Sequence, residues 1–300
     1  MPRNRRAMTP LGWLGVGHMG LPMARNLLRA GLPLMAWSRT RENSRRLGAA
    51  GAHIADSAEV VLQDCDPIFL MLRDAHAIDG VLQRGTRGFG AALRGKTIVQ
   101  LGTTAPEYSQ ELAFEIAAAG GAYVEAPVSG SRGPAEEGRL VGMLAGESPS
   151  IERVEPLLQF LCERVFRCGR VPSAMRMKLA ANHFLIGMVT VLAEALQAAR
   201  GLGLDVDQLR QILDAGPMAS AVSRAKLDLL ARQEYPPEAA VRDVATIAQL
   251  VLDTCESGEQ NVPLIRNCAM LYRIAVEAGH GDADMAAVVR VFSLRAARPV

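Results

Sequence analysis

The sequence has no excess of charge of either sign. Its 300 residues include 33 Lys and Arg against 31 Asp and Glu, which leaves a formal net charge of +2. Nucleic-acid-binding domains concentrate positive charge on one face, so this balance does not support a nucleic-acid partner. Hydrophobic residues make up 49% and charged residues 21%, the mix of a folded chain with a sizeable core. At roughly 150 residues per domain, the length predicts about two domains, or one large one.

Cysteine is sparse, and no Cys-x-x-Cys pair occurs. Five cysteines cannot all pair within one chain, so we expect free thiols in a reducing compartment. The five histidines include no His-x-x-x-His spacing, and we predict no metal site. The basic start leads into no apolar run typical of a signal peptide, and the most apolar segment, 179–196, contains Asn182, His183 and Glu194. These absences predict a cytoplasmic protein without a membrane span.

The two halves of the chain differ in their hydrophobic pattern. Up to about Val171, short apolar runs alternate with amphipathic ones, which is typical of a parallel sheet covered by helices on both faces. The predicted strands are 11–14, 34–37, 67–72 and 97–100. Beyond about Val171 we find only helical patterns, at 173–200, 206–213, 221–232, 237–257 and 263–278. The second half is therefore predicted to be all-helical.

A glycine-rich turn follows the first predicted strand and opens a helix. It reads Gly15, Val16, Gly17, His18, Met19 and Gly20, which matches G-x-G-x-x-G in the context that gives this pattern meaning. Gly15 allows the tight turn, Gly17 lets the backbone approach a pyrophosphate, and Gly20 lets the helix pack close to the strand. The free N–H groups at the helix start favour the bound anion. A glycine-rich turn without a ligand is the alternative.

This turn completes the prediction of the fold. We expect an α/β, Rossmann-type NAD(P)-binding domain over 1–171 and an all-helical domain over 172–300, joined by the long helix that begins near 173.

No carboxylate follows the second strand, where an NAD site usually places Asp or Glu against the ribose hydroxyls. The sequence there reads Trp37-Ser38-Arg39-Thr40-Arg41. The hydroxyls of Ser38 and Thr40 can donate to a 2′-phosphate, and the planar guanidinium of Arg39 can pair with it. We therefore predict NADP(H) in preference to NAD(H). The alternative is that Arg39 and Arg41 are surface charges in contact only with solvent.

The glycine turn continues as Leu-Pro-Met-Ala-Arg-Asn over 21–26. With this extension the sequence resembles the β-hydroxyacid dehydrogenases, and the resemblance covers nearly the whole chain. Further matches are Glu-Ala-Pro-Val-Ser-Gly-Ser at 125–131, Met-Lys-Leu-Ala-Ala-Asn at 177–182, Arg-Asp at 242–243 and Gly-His-Gly-Asp-Ala-Asp at 279–284. The last of these is similar to the semialdehyde reductase branch.

The resemblance implies roles for particular residues. Lys178 and Asn182 stand at a catalytic Lys-x-x-x-Asn, and Arg242 replaces the lysine of a Lys-Asp pair. The substrate-binding residues would be Ser129, Gly130 and Ser131, which can offer N–H groups and hydroxyls to a small carboxylate. The cofactor contacts would include Met71, Leu72, Thr103, Thr104 and Arg242. An ordinary polar turn at 129–131, and a helix N-cap at the two threonines, are the alternatives.

Lys178 is the candidate proton donor. Reduction of a carbonyl needs a hydride at carbon, which a nicotinamide supplies, and a proton at oxygen. The sequence around Lys178 is apolar on most sides, which predicts a buried amine with a pKa lowered toward neutrality. Asn182 lies four residues further on and shares its helix face, where the amide can hold the lysine or the substrate oxygen. A surface lysine with an incidental asparagine is the alternative.

These patterns and the resemblance predict an NADP(H)-dependent oxidoreductase. It would reversibly reduce small semialdehydes or glyoxylate to hydroxyacids, with a homodimer or homotetramer formed through the helical domain. The alternatives are an NAD-dependent 3-hydroxyisobutyrate dehydrogenase, an imine reductase, and a dinucleotide-binding protein without turnover. Lys178 disfavours the imine reductase, since most such relatives lack the lysine. Lys178 and Asn182 together disfavour a dinucleotide-binding protein without turnover.

Overall fold

The structure is a computed structural model that describes residues 9–293. The described residues up to Lys178 form one compact unit, and those from Leu179 onward form a second. The predicted fold class, an α/β nucleotide-binding domain followed by a helical one, is confirmed. The domain boundary after Val171 stays a prediction.

The N-terminal unit is built on one nine-stranded sheet. Its strands are β1 Leu11–Leu14, β2 Leu34–Trp37, β3 His53–Ile54, β4 Ile68–Leu70, β5 Thr97–Gln100, β6 Ala122–Glu125, β7 Val128–Ser129, β8 Leu140–Gly146 and β9 Cys162–Gly169. The strands β3-β2-β1-β4-β5-β6 are parallel in that order, as in dinucleotide-binding folds. Beyond them β8 runs antiparallel to both β6 and β7, and β9 pairs with β8 in parallel.

Helices alternate with these strands. In the N-terminal unit they are α1 Gly20–Arg29, α2 Arg41–Gly48, α3 Ala58–Asp64, α4 Ala75–Leu82, α5 Gly88–Leu93, α6 Pro106–Ala118, α7 Arg132–Glu137 and α8 Ser148–Leu158. Successive residues of β1 face opposite sides, so Trp13 stacks on Phe69 in one core and Leu14 packs in the other. Burial on both faces explains why the parallel strands read as continuous apolar runs.

The second unit is helical. After the long helix α9, Ser173–Gly201, come α10 Val206–Ala215, α11 Ala221–Arg232, α12 Val241–Ser257 and α13 Pro263–Ala275, then a wide turn at Val276–His280 and a 3₁₀ helix at Met285–Ser293. Its core collects the buried stripe of α9 around Ile186 and Val189 with Ala248 of α12 and Tyr272 of α13. Between 179 and 293 the only strand-like pairing is a single bridge from Ala240 to Asp284.

The structure differs from the predicted elements in several places. The strand predicted at 67–72 is shorter, and β3 and β6 to β9 were not predicted. The helix predicted from 237 begins at Val241, because the N–H groups of Glu238 and Ala239 donate to the Asp284 carboxylate at 3.2 Å instead of starting a helix. The last long helix ends at Ala275, before Gly279 adopts a φ of 85°.

Candidate active site

The glycine turn lies where β1 and β4 are neighbours and the strand order changes direction. Gly15 has a φ of 104°, and a Cβ there would lie 2.2 Å from the Met71 carbonyl oxygen. A Cβ on Gly20 would lie 2.0 Å from the Gly15 carbonyl oxygen, whereas one on Gly17 would meet no atom within 4 Å. The first and third glycines are therefore required by packing, and the second leaves open space where a pyrophosphate would approach.

The remaining residues of the turn differ in exposure. His18 is exposed and Met19 half-buried, but Val16 is buried in the sheet core, so its backbone is the part that can face a ligand. The helix that follows begins at Gly20 with no side chain capping its first N–H groups. The Leu21 N–H donates to the Gly17 carbonyl oxygen at 3.0 Å and Pro22 has no N–H, so the N–H groups that suit an anion are those of the turn, residues 17–20. The turn therefore fits a dinucleotide.

The ends of β2, β4 and β5 lie along the same sheet edge as the turn. The Gly15 N–H donates to the Trp37 carbonyl oxygen at 3.2 Å, and the Met71 N–H donates to the Leu14 carbonyl oxygen at 2.9 Å. A Cβ on Gly102 would lie 2.7 Å from the Leu72 carbonyl oxygen, which places the start of the Thr103-Thr104 segment beside Leu72. The predicted cofactor residues that follow β1, β2, β4 and β5 thus lie along one edge of the sheet.

Two residues at this edge have buried polar atoms without a partner in the described chain. They are the Oγ1 of Thr104 and both amide atoms of Gln100. Such atoms are normally satisfied by water or a ligand. Thr104 was a predicted cofactor residue; Gln100 was not, although a lone amide at the end of an apolar strand was a visible cue.

Ser38, Arg39 and Thr40 follow β2 directly beside the turn. Arg39 and Thr40 are exposed, and Thr40 precedes α2 without its hydroxyl capping that helix. Within residues 9–293 Arg39 has no carboxylate partner. The three side chains are therefore available to an anion at this edge.

The Ser129-Gly130-Ser131 loop links β7 to the short helix α7. Gly130 has a φ of 134°, and a Cβ there would lie 2.7 Å from the Leu140 side chain, so the loop needs glycine at this position. Ser131 precedes α7 and makes no capping bond through its hydroxyl. Arg132, which follows it, pairs with Glu136 at 2.7 Å on the surface.

Lys178 lies on the buried stripe of α9 and is 8% exposed. No hydrogen bond or ion pair of its amine is found within the described part of the chain. Desolvation by burial lowers its pKa from the ordinary 10.5 to about 8. Asn182, one helical turn further on, is also 8% exposed. The surface-lysine alternative is wrong, because the amine is buried.

Glu125 is a second residue near the site to which the sequence analysis assigned no role. It ends β6 and is fully buried. Its carboxylate accepts hydrogen bonds from Ser109 Oγ at 2.5 Å and from the N–H groups of Ala174 and Met175, at 3.0 and 3.2 Å, in the first turn of α9. A carboxylate closing the apolar strand Ala122–Glu125 was the cue in the sequence.

The two C-terminal motifs pack on each other in the helical unit. The Arg242 side chain forms an ion pair with Asp282 and donates to the Gly281 carbonyl at 3.3 Å. Asp284 is fully buried and pairs with Lys226 at 2.9 Å. Arg242, predicted to touch the cofactor, thus has partners in the 279–284 motif, and its cofactor role stays a prediction.

Comparisons with known proteins place the chain in a family. A sequence model described as the NAD binding domain of 6-phosphogluconate dehydrogenase matches residues 10–169, and one for the NAD-binding of NADP-dependent 3-hydroxyisobutyrate dehydrogenase matches 173–292. The chain is 32% identical over 297 residues to glyoxylate/succinic semialdehyde reductase 2, chloroplastic, of Arabidopsis thaliana, covering 99% of this chain and 82% of that protein. The chain belongs to the β-hydroxyacid dehydrogenase family.

Two further relatives agree with this membership. Glyoxylate/succinic semialdehyde reductase 1 of Arabidopsis thaliana is 30% identical over 279 residues, with 93% of this chain and 96% of that protein covered. The crystal structure of 3-hydroxyisobutyrate dehydrogenase from Salmonella typhimurium superposes with a TM-score of 0.85 at 25% identity, covering 94% and 99% of the two chains. As a β-hydroxyacid dehydrogenase, the protein is an NAD(P)-dependent oxidoreductase.

Over residues 9–293 no three His, Cys, Asp or Glu side chains come close enough to hold a metal ion. By length and composition α9 could cross a membrane, a property it shares with core helices of soluble proteins, and 39% of its most apolar stretch is buried.

Proposed function

We propose that this protein is an NADP(H)-dependent reductase of small semialdehyde acids or glyoxylate that works reversibly on the corresponding hydroxyacids. The observation that carries the proposal is Lys178, a buried amine without a partner in the described chain and with a pKa lowered to about 8. A buried cationic group is costly unless it has a purpose, and a pKa near neutrality suits proton transfer. The names of the two Arabidopsis relatives support this substrate class.

The residues of the turn, 15–20, would hold the pyrophosphate through backbone N–H groups, with Met71, Leu72 and Thr103 along the same edge. The Thr104 hydroxyl, unpartnered in the described chain, is available for a further hydrogen bond. When bound, the dinucleotide supplies the hydride.

The protein's own residues would bind the substrate and provide the proton. Ser129, Gly130 and Ser131 would bind the carboxylate through N–H groups and hydroxyls. The Lys178 ammonium would donate its proton to the carbonyl oxygen as that oxygen gains negative charge, and in the reverse direction the neutral amine would accept it. Asn182 would donate a hydrogen bond to the same oxygen or hold the amine, without adding charge.

The preference for NADP(H) rests on the sheet edge after β2. Ser38, Arg39 and Thr40 offer two hydroxyls and a guanidinium, and no carboxylate stands there to bind ribose hydroxyls or repel a phosphate.

A screen of coenzyme oxidation tests the proposal. NADPH is mixed with glyoxylate, succinic semialdehyde, methylmalonate semialdehyde, tartronate semialdehyde or a cyclic imine, and loss of reduced-coenzyme absorbance is followed. We expect turnover with at least one aldehyde acid, and none for Lys178→Ala with NADPH binding retained. Lys96→Ala is the matched control, because the Lys96 amine bonds the carbonyls of Gln63 and Cys65 before β5, at the opposite end of the strands. An active Lys178→Ala variant would refute the assignment of Lys178 as the proton donor.

An NAD-dependent 3-hydroxyisobutyrate dehydrogenase is the second candidate, and the likeness to the Salmonella typhimurium structure favours it. With the screen repeated in NADH, this enzyme would turn over faster with NADH than with NADPH and would prefer methylmalonate semialdehyde. Turnover of the cyclic imine alone would instead indicate an imine reductase, and binding without any turnover a non-catalytic protein.

We also propose that the protein assembles as a homodimer or homotetramer through its helical domain. Large apolar side chains of α9 stand exposed at intervals of seven residues: Met177 is 53%, Phe184 73% and Val191 60% exposed. These three form a stripe along one side of the helix. A second copy of the chain is the partner that would cover such a stripe in a metabolic enzyme. Cytoplasmic localisation stays a prediction.

A further inference from the structure

The carboxylate of Glu125 joins three elements of the N-terminal unit. It is fully buried at the end of β6, accepts from Ser109 of α6, and accepts from the first two N–H groups that α9 offers, those of Ala174 and Met175. Ser109 also bonds the hydroxyl of buried Tyr123 at 2.9 Å. The phenol, the hydroxyl and the carboxylate thus form a chain that ends on the N-terminus of α9.

We propose that Glu125 is a positioning residue for Lys178: its carboxylate holds the first turn of α9 so that the amine is presented to the substrate loop at 129–131. This inference rests on the proposed role of Lys178 as proton donor. Glu125 acts through the helix backbone and has no contact with Lys178 among its hydrogen bonds in residues 9–293.

The geometry of the helix makes this connection short. Lys178 follows Ala174 by four residues, which is one turn or about 6 Å of rise. Side chains on a helix lean toward its N-terminus, so the Lys178 side chain projects back over the turn that Glu125 holds. A displacement of that turn therefore moves the amine with it.

The other end of the connection is the substrate loop. Only three residues separate Glu125 from Ser129, and the segment is fixed at both ends, because Glu125 and Ser129 pair with Ala145 and Val141 of β8. Glu125 is thus the residue through which the strand leading into the loop meets the helix that carries the amine. Proton transfer depends on sub-ångström placement, and a misplacement of 1 Å can lower turnover about 100-fold.

The chemistry of Glu125 favours a geometric role over a stabilising one. Burial raises the pKa of Glu125, which is the direction of a group whose charge is costly there. A well-packed apolar residue commonly gives equal or greater stability at such a position. A carboxylate offers what the apolar residue lacks: two acceptor oxygens that bind Ser109 on one side and two helix N–H groups on the other.

Two conservative variants separate reach from charge. Glu125→Gln keeps the length of the side chain and an acceptor for the N–H groups of Ala174 and Met175, while its amide can donate to Ser109. Glu125→Asp keeps the charge but is one methylene shorter, so it cannot hold Ser109 and the start of α9 together. Both are assayed as full-length enzyme with NADPH and with glyoxylate and succinic semialdehyde, and Glu137→Asp, an exposed residue that ends α7, is the matched control.

We expect Glu125→Asp to lower kcat about 10- to 100-fold while KM and the NADPH Kd change less than about threefold. Glu125→Gln should keep kcat within about threefold of the wild type. The solvent deuterium isotope effect on kcat should rise in Glu125→Asp, because proton transfer becomes rate-limiting. A loss of folded enzyme would lower kcat without changing that isotope effect.

The opposite results overturn the inference. They are a folded Glu125→Asp with wild-type kcat, an unchanged isotope effect, or a Glu125→Gln as impaired as Glu125→Asp. If Glu125→Asp does not fold, Ser109→Ala replaces it, and an unchanged isotope effect there overturns the inference as well. If Lys178→Ala stays active, the proposed function fails together with it; if Lys178→Ala is dead and Glu125→Asp is normal, only the positioning role fails.

Discussion

The side-chain amide of Asn26 donates a hydrogen bond of 2.8 Å to the backbone carbonyl oxygen of Ala135, a residue 109 positions away. Asn26 lies on α1, the helix that opens from the glycine turn, and Ala135 lies on α7, which follows the loop at 129–131. The Oδ1 of the Asn26 amide accepts a second hydrogen bond, of 2.8 Å, from the Arg29 guanidinium. One buried side chain thus joins the proposed coenzyme helix to α7, the helix that directly follows the proposed substrate loop.

Replacing Asn26 with Leu should destabilise the N-terminal unit. The substitution removes the donor and leaves the Ala135 carbonyl without its partner, which costs about 1–3 kcal/mol. Urea unfolding measures the loss, and Asn261→Leu, at an exposed position with no side-chain hydrogen bond in the described chain, is the control. Equal stability of the two variants would contradict the expectation.

The reduction rate should fall as pH rises through about 8. The Lys178 amine must be protonated to donate, and burial lowers its pKa to about 8, so the ammonium form is lost above that pH. The reverse oxidation needs the neutral amine and should rise through the same pH. Profiles of kcat in both directions check this, and in Lys178→Arg any residual activity should show no such limb, because a guanidinium stays charged. A limb near 10.5 would show that the amine is not desolvated during turnover.

Replacing Lys178 with Met should stabilise the protein at pH 7 while abolishing turnover. A pKa lowered from 10.5 to about 8 means that the ammonium destabilises the native state by about 3 kcal/mol below pH 8. Between these two values the unfolded chain binds more protons than the native one, so wild-type stability rises with pH and the advantage of Met shrinks. Urea unfolding at pH 7 and near pH 10 measures both effects. No gain at pH 7 would argue that the ammonium has a partner in solution.

Replacing Arg39 with Asp should weaken the binding of NADPH more than the binding of NADH. Losing a charge-assisted contact to a phosphate costs about 1.5–3 kcal/mol, or roughly 10- to 100-fold in Kd, and the new carboxylate can accept from ribose hydroxyls. Fluorescence titration with both coenzymes gives the ratio. Arg94→Asp makes the same charge change before β5, at the opposite end of the parallel strands, and should leave the ratio unaltered. Equal weakening of both coenzymes by Arg39→Asp would refute the 2′-phosphate contact.

Replacing Phe184 with Glu should dissociate the assembly. Each buried Phe contributes about 1.5–3 kcal/mol, and a two-fold interface loses it twice. Sedimentation velocity should show a smaller species than the wild type. Phe114→Glu alters a side chain that is 76% exposed on α6 of the other unit and should leave the assembly intact. A wild type that sediments as a monomer would end the proposal.

Local pattern was sufficient for several features. The first strands, the glycine turn and the 173–201 helix are encoded by residues close in sequence, whose hydrophobic period and glycine spacing are legible without the fold. Lys178 and Asn182 share a face because a separation of four residues is close to one helical turn of 3.6 residues. The strands β8 and β9 were missed although β8 is largely apolar, since a short apolar run does not by itself distinguish strand from helix.

The sequence by itself determined the fold class, the dinucleotide turn and the buried character of Lys178, because the hydrophobic period of each element, the glycine spacing and the apolar neighbours of Lys178 are all local in sequence. Only the tertiary structure decided what Glu125, Asn26 and Asp284 do. Glu125 bonds a helix 49 residues away, and Asp284 bonds N–H groups more than 40 residues back. Such partners are selected by how the elements pack, and a buried polar side chain is satisfied by whichever group that packing places opposite it.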